Sequence, residues 1–566
     1  MEYKERYNEW KKLTLDAEIA AELLNIENDE AEIKSRFSSE LCFGTAGLRG
    51  KLGAGTNRMN VYTVGRASQG LAEYVLRNGG QEKGMVIACD TRRSSALFAK
   101  TTALVFAANG IKTRLFGEAT SVPELSFAVR HYGAFGGVVI TASHNPKDYN
   151  GYKVYAPWGG QLLADSSENV MCCIEGVCGT AEVKTMGMDE ATASGLLTII
   201  GEEIDSEYYQ RLAGMAKRPD LIKKHGKGIH LVYTPLFGTG LRTFEGVMRS
   251  FSYEHTLVKE QCMPDPDFPG LKAPNPEDET AMEKAVKLAG DIGADMAFGT
   301  DPDADRLGVA VRNEQGEFIM LSGNQIGCLI ADYLIRQRKR SGELSASDYI
   351  VKSFVSTAMA DKIAQKLGAE CITVPTGFKY IADVINTRKE GTFIFGFEES
   401  GGFLAGDFVM DKDGVMALLL MLEVACECKE AGETLYQRLR SLYESYGWHK
   451  EKVISAVMEG DGGMERKAAI MKRLRETPPG TLGGQSVTGF TDYQSGTYKD
   501  GEGTRQIDFP RENALKLSME NGWVSVRPSG TEPKIKLYVA AYGDTKESAE
   551  TFFAALEKDA AALVGV

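Results

Sequence analysis

From residue 85 onward, short apolar runs alternate with longer stretches of mixed polarity. Met85-Val86-Ile87-Ala88-Cys89 is an unbroken apolar run with the length of a buried strand. The polar loop Asp90-Thr91-Arg92-Arg93-Ser94-Ser95 follows it, then a helical segment that ends at Asn109-Gly110. A second strand is predicted over 112–116, a second helix over 123–132, and a third strand at Phe135-Gly136-Gly137-Val138-Val139-Ile140. The order is β-α-β-α-β.

That order recurs twice. It runs from Ile229-His230-Leu231-Val232-Tyr233 through helices near 241–251 and 279–288 to Asp295-Met296-Ala297-Phe298. It runs again from Tyr349-Ile350-Val351 through helices near 357–367 and 380–386 to Thr392-Phe393-Ile394-Phe395. Three such units predict three similar α/β domains with mixed sheets. From about residue 451 the pattern changes to a helix over 464–475, a break at Pro478-Pro479-Gly480 and a hairpin turning at Asn521-Gly522. A further strand over 535–539 and a last helix that Asp544 or Thr545 can cap complete a C-terminal α+β domain. We place the domains at 1–205, with an N-terminal helical extension, 206–322, 323–445 and 446–566.

Composition adds limits. With 43% hydrophobic residues in 566, several cores can be filled. The longest apolar run, 415–422, would cross less than half a bilayer, and no leader-like stretch opens the chain, so we expect a cytoplasmic protein with no membrane partner. A net charge of -13 disfavours nucleic acid or an anionic membrane, so any phosphate must be held by a local pocket. The ten cysteines show no C-x-x-C pair and no matched Cys/His spacing, and we read them as reduced thiols.

After the third strand of each unit comes a polar loop, at the strand ends where open α/β sheets bind ligands. In the first, Thr141-Ala142-Ser143-His144-Asn145-Pro146 presents a small hydroxyl with no bulky neighbour, stiffened by Pro146. For His144 we expect a loop-shaping hydrogen bond in preference to a base. In the second, Asp301-Pro302-Asp303-Ala304-Asp305-Arg306 sets three carboxylates on alternate positions, hard oxygens that suit Mg²⁺. Calcium EF-hand spacing fails, because Arg306 and Arg312 stand where Gly and Glu are required. In the third, Phe397-Glu398-Glu399-Ser400-Gly401-Gly402 offers acceptors suited to sugar hydroxyls. Arg527-Pro528-Ser529-Gly530-Thr531-Glu532-Pro533-Lys534 combines a guanidinium, two hydroxyls, a close-approach glycine and a lysine, a set that matches phosphate oxygens. Phe43-Gly44-Thr45-Ala46-Gly47-Leu48-Arg49-Gly50 lacks the Lys-Ser/Thr of a nucleotide loop; there we expect an anion contact by Arg49.

Together these motifs, in this order over nearly the whole chain, resemble the α-D-phosphohexomutase superfamily and its phosphoglucomutase/phosphomannomutase family. The resemblance implies a four-domain, heart-shaped molecule around a central cleft, with Ser143 phosphorylated at rest. It implies Mg²⁺ held by Asp301, Asp303, Asp305 and an oxygen on Ser143. It assigns phosphoryl-transfer roles to Arg49 and Lys153, with Lys153 as general acid/base, and a phosphate contact to Arg306. It matches Glu398 and Ser400 to sugar hydroxyls, and Thr376, Gly377 and Lys379 of Pro375-Thr376-Gly377-Phe378-Lys379 to further substrate contacts. It makes Arg527, Ser529, Gly530, Thr531 and Lys534 the clamp on the non-reacting phosphate.

The activity it implies is the interconversion of glucose 1-phosphate and glucose 6-phosphate, with glucose 1,6-bisphosphate as intermediate and activator, in a monomer or dimer whose partners are small sugar phosphates. One departure bears on the sugar: that family often carries histidine shortly after Glu-x-Ser, where this chain has Gly401-Gly402. Phosphopentomutase and phosphomannomutase remain open, as do a Mg²⁺-dependent sugar phosphatase and a silent sugar-phosphate sensor.

Overall fold

The computed structural model describes every residue except 1, 14, 45–46, 180–181, 459–461, 531–533 and 566. The chain forms two compact units, one of Met1–Ile326, Ala382–Lys389 and Ser400–Gly432, the other of Gly327–Ile381, Glu390–Glu399 and Glu433–Val566.

The first unit contains two mixed sheets. One has the order Gly47–Lys51, Tyr149–Tyr155, Gly136–Ile140, Met85–Cys89, Thr113–Phe116, Leu197–Ile200. The last four strands run parallel, while the first two enter antiparallel. Met85–Cys89 and Gly136–Ile140 are buried at every position, as their unbroken apolar runs require. The helices Val61–Arg77, Ser95–Ala108 and Val122–His131 accompany this sheet; the last begins where Ser121 accepts from the Glu124 amide at 3.4 Å and Pro123 sits in the first turn. Ahead of it, three short helices share a small core of Tyr7, Leu23, Ile26, Ile33 and Phe37.

The other sheet has the order Phe318–Leu321, Leu307–Arg312, Met296–Thr300, His230–Thr234, Glu254–Leu257. In the second unit, Tyr349–Ser353 pairs in parallel with Glu370–Val374 and with Phe393–Glu398. A seven-stranded antiparallel sheet follows, with Gly522–Pro528 between Leu515–Met519 and Lys534–Gly543, covered by the helices Gly463–Glu476 and Lys546–Val564. Thr545 caps the last helix, accepting from the Ser548 amide at 3.1 Å.

The expected strands and helices occur in the expected order. The strands that pattern alone missed include Glu254–Leu257 and Glu370–Val374. Both are outermost strands with exposed polar positions, so they carry no apolar run to announce them. No helix among the described residues is long and apolar enough to cross a membrane.

Candidate active site

In the first unit, three strand ends meet one polar cluster. Met85–Cys89 delivers Asp90, Gly136–Ile140 delivers Thr141 and Ser143, and Met296–Thr300 delivers the acidic loop. Ser143 is buried at 4% exposure and adopts a left-handed φ of 52°, a conformation few non-glycine residues take. Its neighbours hold it there. The Ser143 amide donates to Thr141 Oγ1 at 2.8 Å, and Thr141 Oγ1 lies 2.7 Å from Asp90 Oδ2 and 3.1 Å from Asp303 Oδ2. The Arg92 guanidinium, buried beside Asp90, donates to the carbonyls of Ser143 and Asn145 at 2.5 Å each and to that of Pro146 at 2.9 Å. These bonds explain a serine fixed in an uncommon backbone well.

Ser143 Oγ donates to Asp301 Oδ2 at 2.6 Å. Asp301, Asp303 and Asp305 are all buried, and each offers an oxygen within 4.8 Å of the others. The loop is folded by Asp301 Oδ1, which accepts from the amides of Asp305 at 3.1 Å and Arg306 at 3.0 Å, with Ala304 at φ 55°. Burial, and then the charges of Asp303 and Asp305, push the Asp301 carboxyl well above the ordinary range. Burial presses Asp305 the same way, yet Lys412, Lys153 and Arg306 hold it below that range.

Asp303 Oδ1 and Asp305 Oδ1 are buried with no hydrogen-bond partner. Hard, converging, unsatisfied oxygens of like charge fit a divalent cation.

Lys153 reaches this cluster from Tyr149–Tyr155, its Nζ 3.0 Å from Asp303 Oδ2 and 3.7 Å from Asp305 Oδ2. Arg49 pairs with Gly151 across the antiparallel ladder, and Gly151 and Lys153 lie on one face of their strand, so Arg49 and Lys153 share that face. Arg49 Nη1 lies 3.5 Å from Asn145 Oδ1 in the serine loop. Gly151 cannot be larger, since a Cβ there would stand 2.4 Å from the Thr141 carbonyl oxygen. His144 is half-buried next to Ser143. Arg306 Nη1 donates to the Ser400 carbonyl at 2.9 Å and lies 3.3 Å from Glu277 Oε2, which brings Ser400 beside the acidic loop.

In the first unit, Lys412 and its partner Asp411 escaped sequence reasoning. Lys412 Nζ lies 3.1 Å from Asp305 Oδ2 and 3.0 Å from Asp411 Oδ1, and Asp411 Oδ2 accepts from Tyr155 at 2.7 Å and Gln161 at 2.8 Å. The Lys412 stem also fills the space beside Gly402, where a Cβ would stand 2.2 Å from its Cδ. The available signal is the charged run Asp411-Lys412-Asp413-Gly414 directly ahead of an apolar helix.

The second unit gathers the other predicted residues. Glu398 Oε1 accepts from the Gly377 amide at 2.7 Å, and Gly377 has φ 112°. Burial lowers the Lys379 pKa, and its Nζ lies 5.2 Å from the Tyr380 ring centre. Glu512 Oε1 accepts from Thr376 at 2.6 Å and from Arg527 at 2.5 Å, so Glu512, absent from the motifs, joins two of them. Past Arg527 the Ser529 amide donates to the Lys534 carbonyl at 2.8 Å, closing the loop that carries Gly530; Thr531 lies outside the described residues. Lys467 donates to the Ser529 carbonyl at 2.6 Å.

The fold and site define a protein with a buried serine set against a triple-aspartate, cation-ready loop. Comparison with known proteins gives the family. Four family descriptions match in order: phosphoglucomutase/phosphomannomutase alpha/beta/alpha domain I at residues 40–177, domain II at 206–316, domain III at 322–446 and the C-terminal domain at 465–558. The chain is 37% identical over 521 residues to a phosphoglucomutase of Staphylococcus aureus, covering 91% of this chain and 92% of that one. It is also 37% identical over 533 residues to one of Staphylococcus epidermidis, covering 93% and 95%. A solved phosphoglucomutase from Paramecium shares the fold with a TM-score of 0.70 at 18% identity, covering 93% of this chain and 96% of that chain. The chain belongs to the phosphoglucomutase/phosphomannomutase family.

Proposed function

We propose that this protein is a phosphoglucomutase, interconverting glucose 1-phosphate and glucose 6-phosphate through phosphorylated Ser143 and a glucose 1,6-bisphosphate intermediate. The observation that carries the proposal is Ser143 Oγ at 2.6 Å from Asp301 in a buried triple-aspartate loop, in a chain 37% identical to phosphoglucomutases over 91% of its length. Asp301, Asp303, Asp305 and an oxygen on Ser143 would hold Mg²⁺, which when bound supplies charge neutralisation for the phosphoryl oxygens.

The chain's own groups then divide the work. Arg92, Thr141 and Asp90 fix the Ser143 backbone, so that Oγ keeps one direction. In the forward half-reaction the bond from Oγ to phosphorus breaks and a bond from the sugar 6-hydroxyl to phosphorus forms. Lys153 Nζ, on a strand beside that loop, takes the hydroxyl proton; in the reverse sense it returns one. Arg49 and Arg306 stabilise charge on the transferring group. Glu398, Ser400, Thr376, Gly377 and Lys379 hold the sugar, and Arg527, Ser529, Gly530, Thr531 and Lys534 clamp the non-reacting phosphate. The bisphosphate then turns over, so that its other phosphate returns to Ser143.

Glucose is favoured by the Thr376-Gly377-Phe378-Lys379 segment and by the named relatives. The test is incubation with glucose 1-phosphate, Mg²⁺ and a trace of glucose 1,6-bisphosphate, with glucose 6-phosphate as readout. Conversion is expected; inertness toward glucose 1-phosphate with brisk turnover of ribose 1-phosphate or mannose 1-phosphate would reassign the sugar.

A further inference from the structure

A cavity of about 340 Å³ opens in the second unit, and none of the residues assigned above lines it. Its wall is built from Lys352, Phe354 and Asp361 on one side and Lys516, Trp523 and Tyr542 on the other. Trp523 stands four residues before Arg527 on Gly522–Pro528, about 13 Å along an extended strand, at the end of the sheet opposite the phosphate loop.

Two ammonium groups and one carboxylate meet there. Lys352 Nζ is 3.1 Å from Asp361 Oδ2, which satisfies that charge. Lys516 Nζ donates to the Phe354 carbonyl at 3.1 Å and lies 4.2 Å from the Trp523 ring centre, two partners of which neither is an anion. Burial, and then the charge of Lys352, lower the Lys516 pKa to about 7, a cost that a bound anion would remove. Phe354, Trp523 and Tyr542 give the same cavity an apolar wall. Its volume lies within the range of small-molecule sites and exceeds what a bare phosphate needs.

We propose that this cavity is a second ligand site, which takes a small organic anion with one phosphate or carboxylate head at Lys516 and an apolar or aromatic body against Phe354, Trp523 and Tyr542. The occupant is not the substrate of the serine loop.

The test is a titration of the whole protein with phenyl phosphate, read by tryptophan fluorescence, with inorganic phosphate and phenol as head-only and body-only controls. A saturable change is expected with phenyl phosphate, weaker with either control, and lost in Trp523→Phe. Lys516→Gln should weaken binding about ten-fold, the loss of one charge contact, while Lys516→Arg retains it. Asp361→Asn, which raises the local positive charge, should tighten binding, and Arg527→Gln should leave it unchanged. Equal affinity in wild type and Lys516→Gln, loss of the signal in Arg527→Gln, or no saturation below about 10 mM would overturn the proposal.

Discussion

Ser143 shows how a common residue becomes a distinctive one. Its side chain is ordinary; its φ of 52° and its place against Asp301 are not. Both come from neighbours, chiefly Arg92, which binds the carbonyls of the serine loop, and Thr141, which takes the serine amide. The aspartates make the complementary case. Three buried carboxylates with two unsatisfied oxygens are costly alone, so a cation that binds them stabilises the fold. Adding Mg²⁺ at about 100 times its dissociation constant should stabilise the protein by about 2.7 kcal/mol. Chelation should reverse this, and Asp303→Asn should abolish the response in a thermal-shift measurement.

Lys412→Met leaves Asp305 and Asp411 buried beside an uncharged side chain, which should cost about 3–5 kcal/mol in denaturant unfolding, as for one partner of a buried pair. A loss below 1 kcal/mol would show that the pair is not what neutralises those carboxylates.

Among the elements, the strand Tyr149–Tyr155 does two jobs. It pairs with Gly47–Lys51 in a register that sets Arg49 and Lys153 on one face, and it brings Gly151 against Thr141. Gly151→Ala should therefore destabilise by about 1–3 kcal/mol through overpacking and should also lower turnover, because the yielding neighbour is the serine loop itself. An activity loss with no change in unfolding would contradict that coupling.

The strand Trp448–Val457 carries His449, which burial and the charges of Lys362 and Lys352 hold neutral, with its pKa down at about 3. In the unfolded chain it protonates near 6.5, so the unfolded state binds the extra proton and stability falls as pH drops from 6.5 toward 3. At pH 5 the loss should reach about 2 kcal/mol, and His449→Phe should flatten that part of the stability curve. An unchanged slope would exclude His449 as its cause.

At the scale of the whole molecule, the sequence was informative where chemistry is local in the chain. The continuous apolar strands, the turn at Asn521-Gly522 and the three aspartates on alternate positions each state their physical requirement within a few residues. What stayed hidden was long-range pairing. Lys412 meets Asp305 across more than a hundred residues, and Glu512 joins Thr376 to Arg527, through contacts that no local pattern encodes. Glu254–Leu257 and Glu370–Val374 were silent for a related reason, since half-exposed polar strands lack an apolar signature. The acidic balance of -13 is consistent with the design of the site, in which phosphate is to be met by a few placed cations and not by a broadly positive surface.

Ser143 is the residue expected to carry the phosphoryl group. The most direct measurement incubates the protein with glucose 1,6-bisphosphate bearing labelled phosphate, maps the label by peptide analysis, and then chases it with unlabelled glucose 1-phosphate. Label is expected on Ser143 and should leave in glucose 6-phosphate, with neither label nor turnover in Ser143→Ala. Turnover without label on Ser143, or a Ser143→Ala protein that still interconverts the two sugar phosphates, would rule out Ser143 as the carrier.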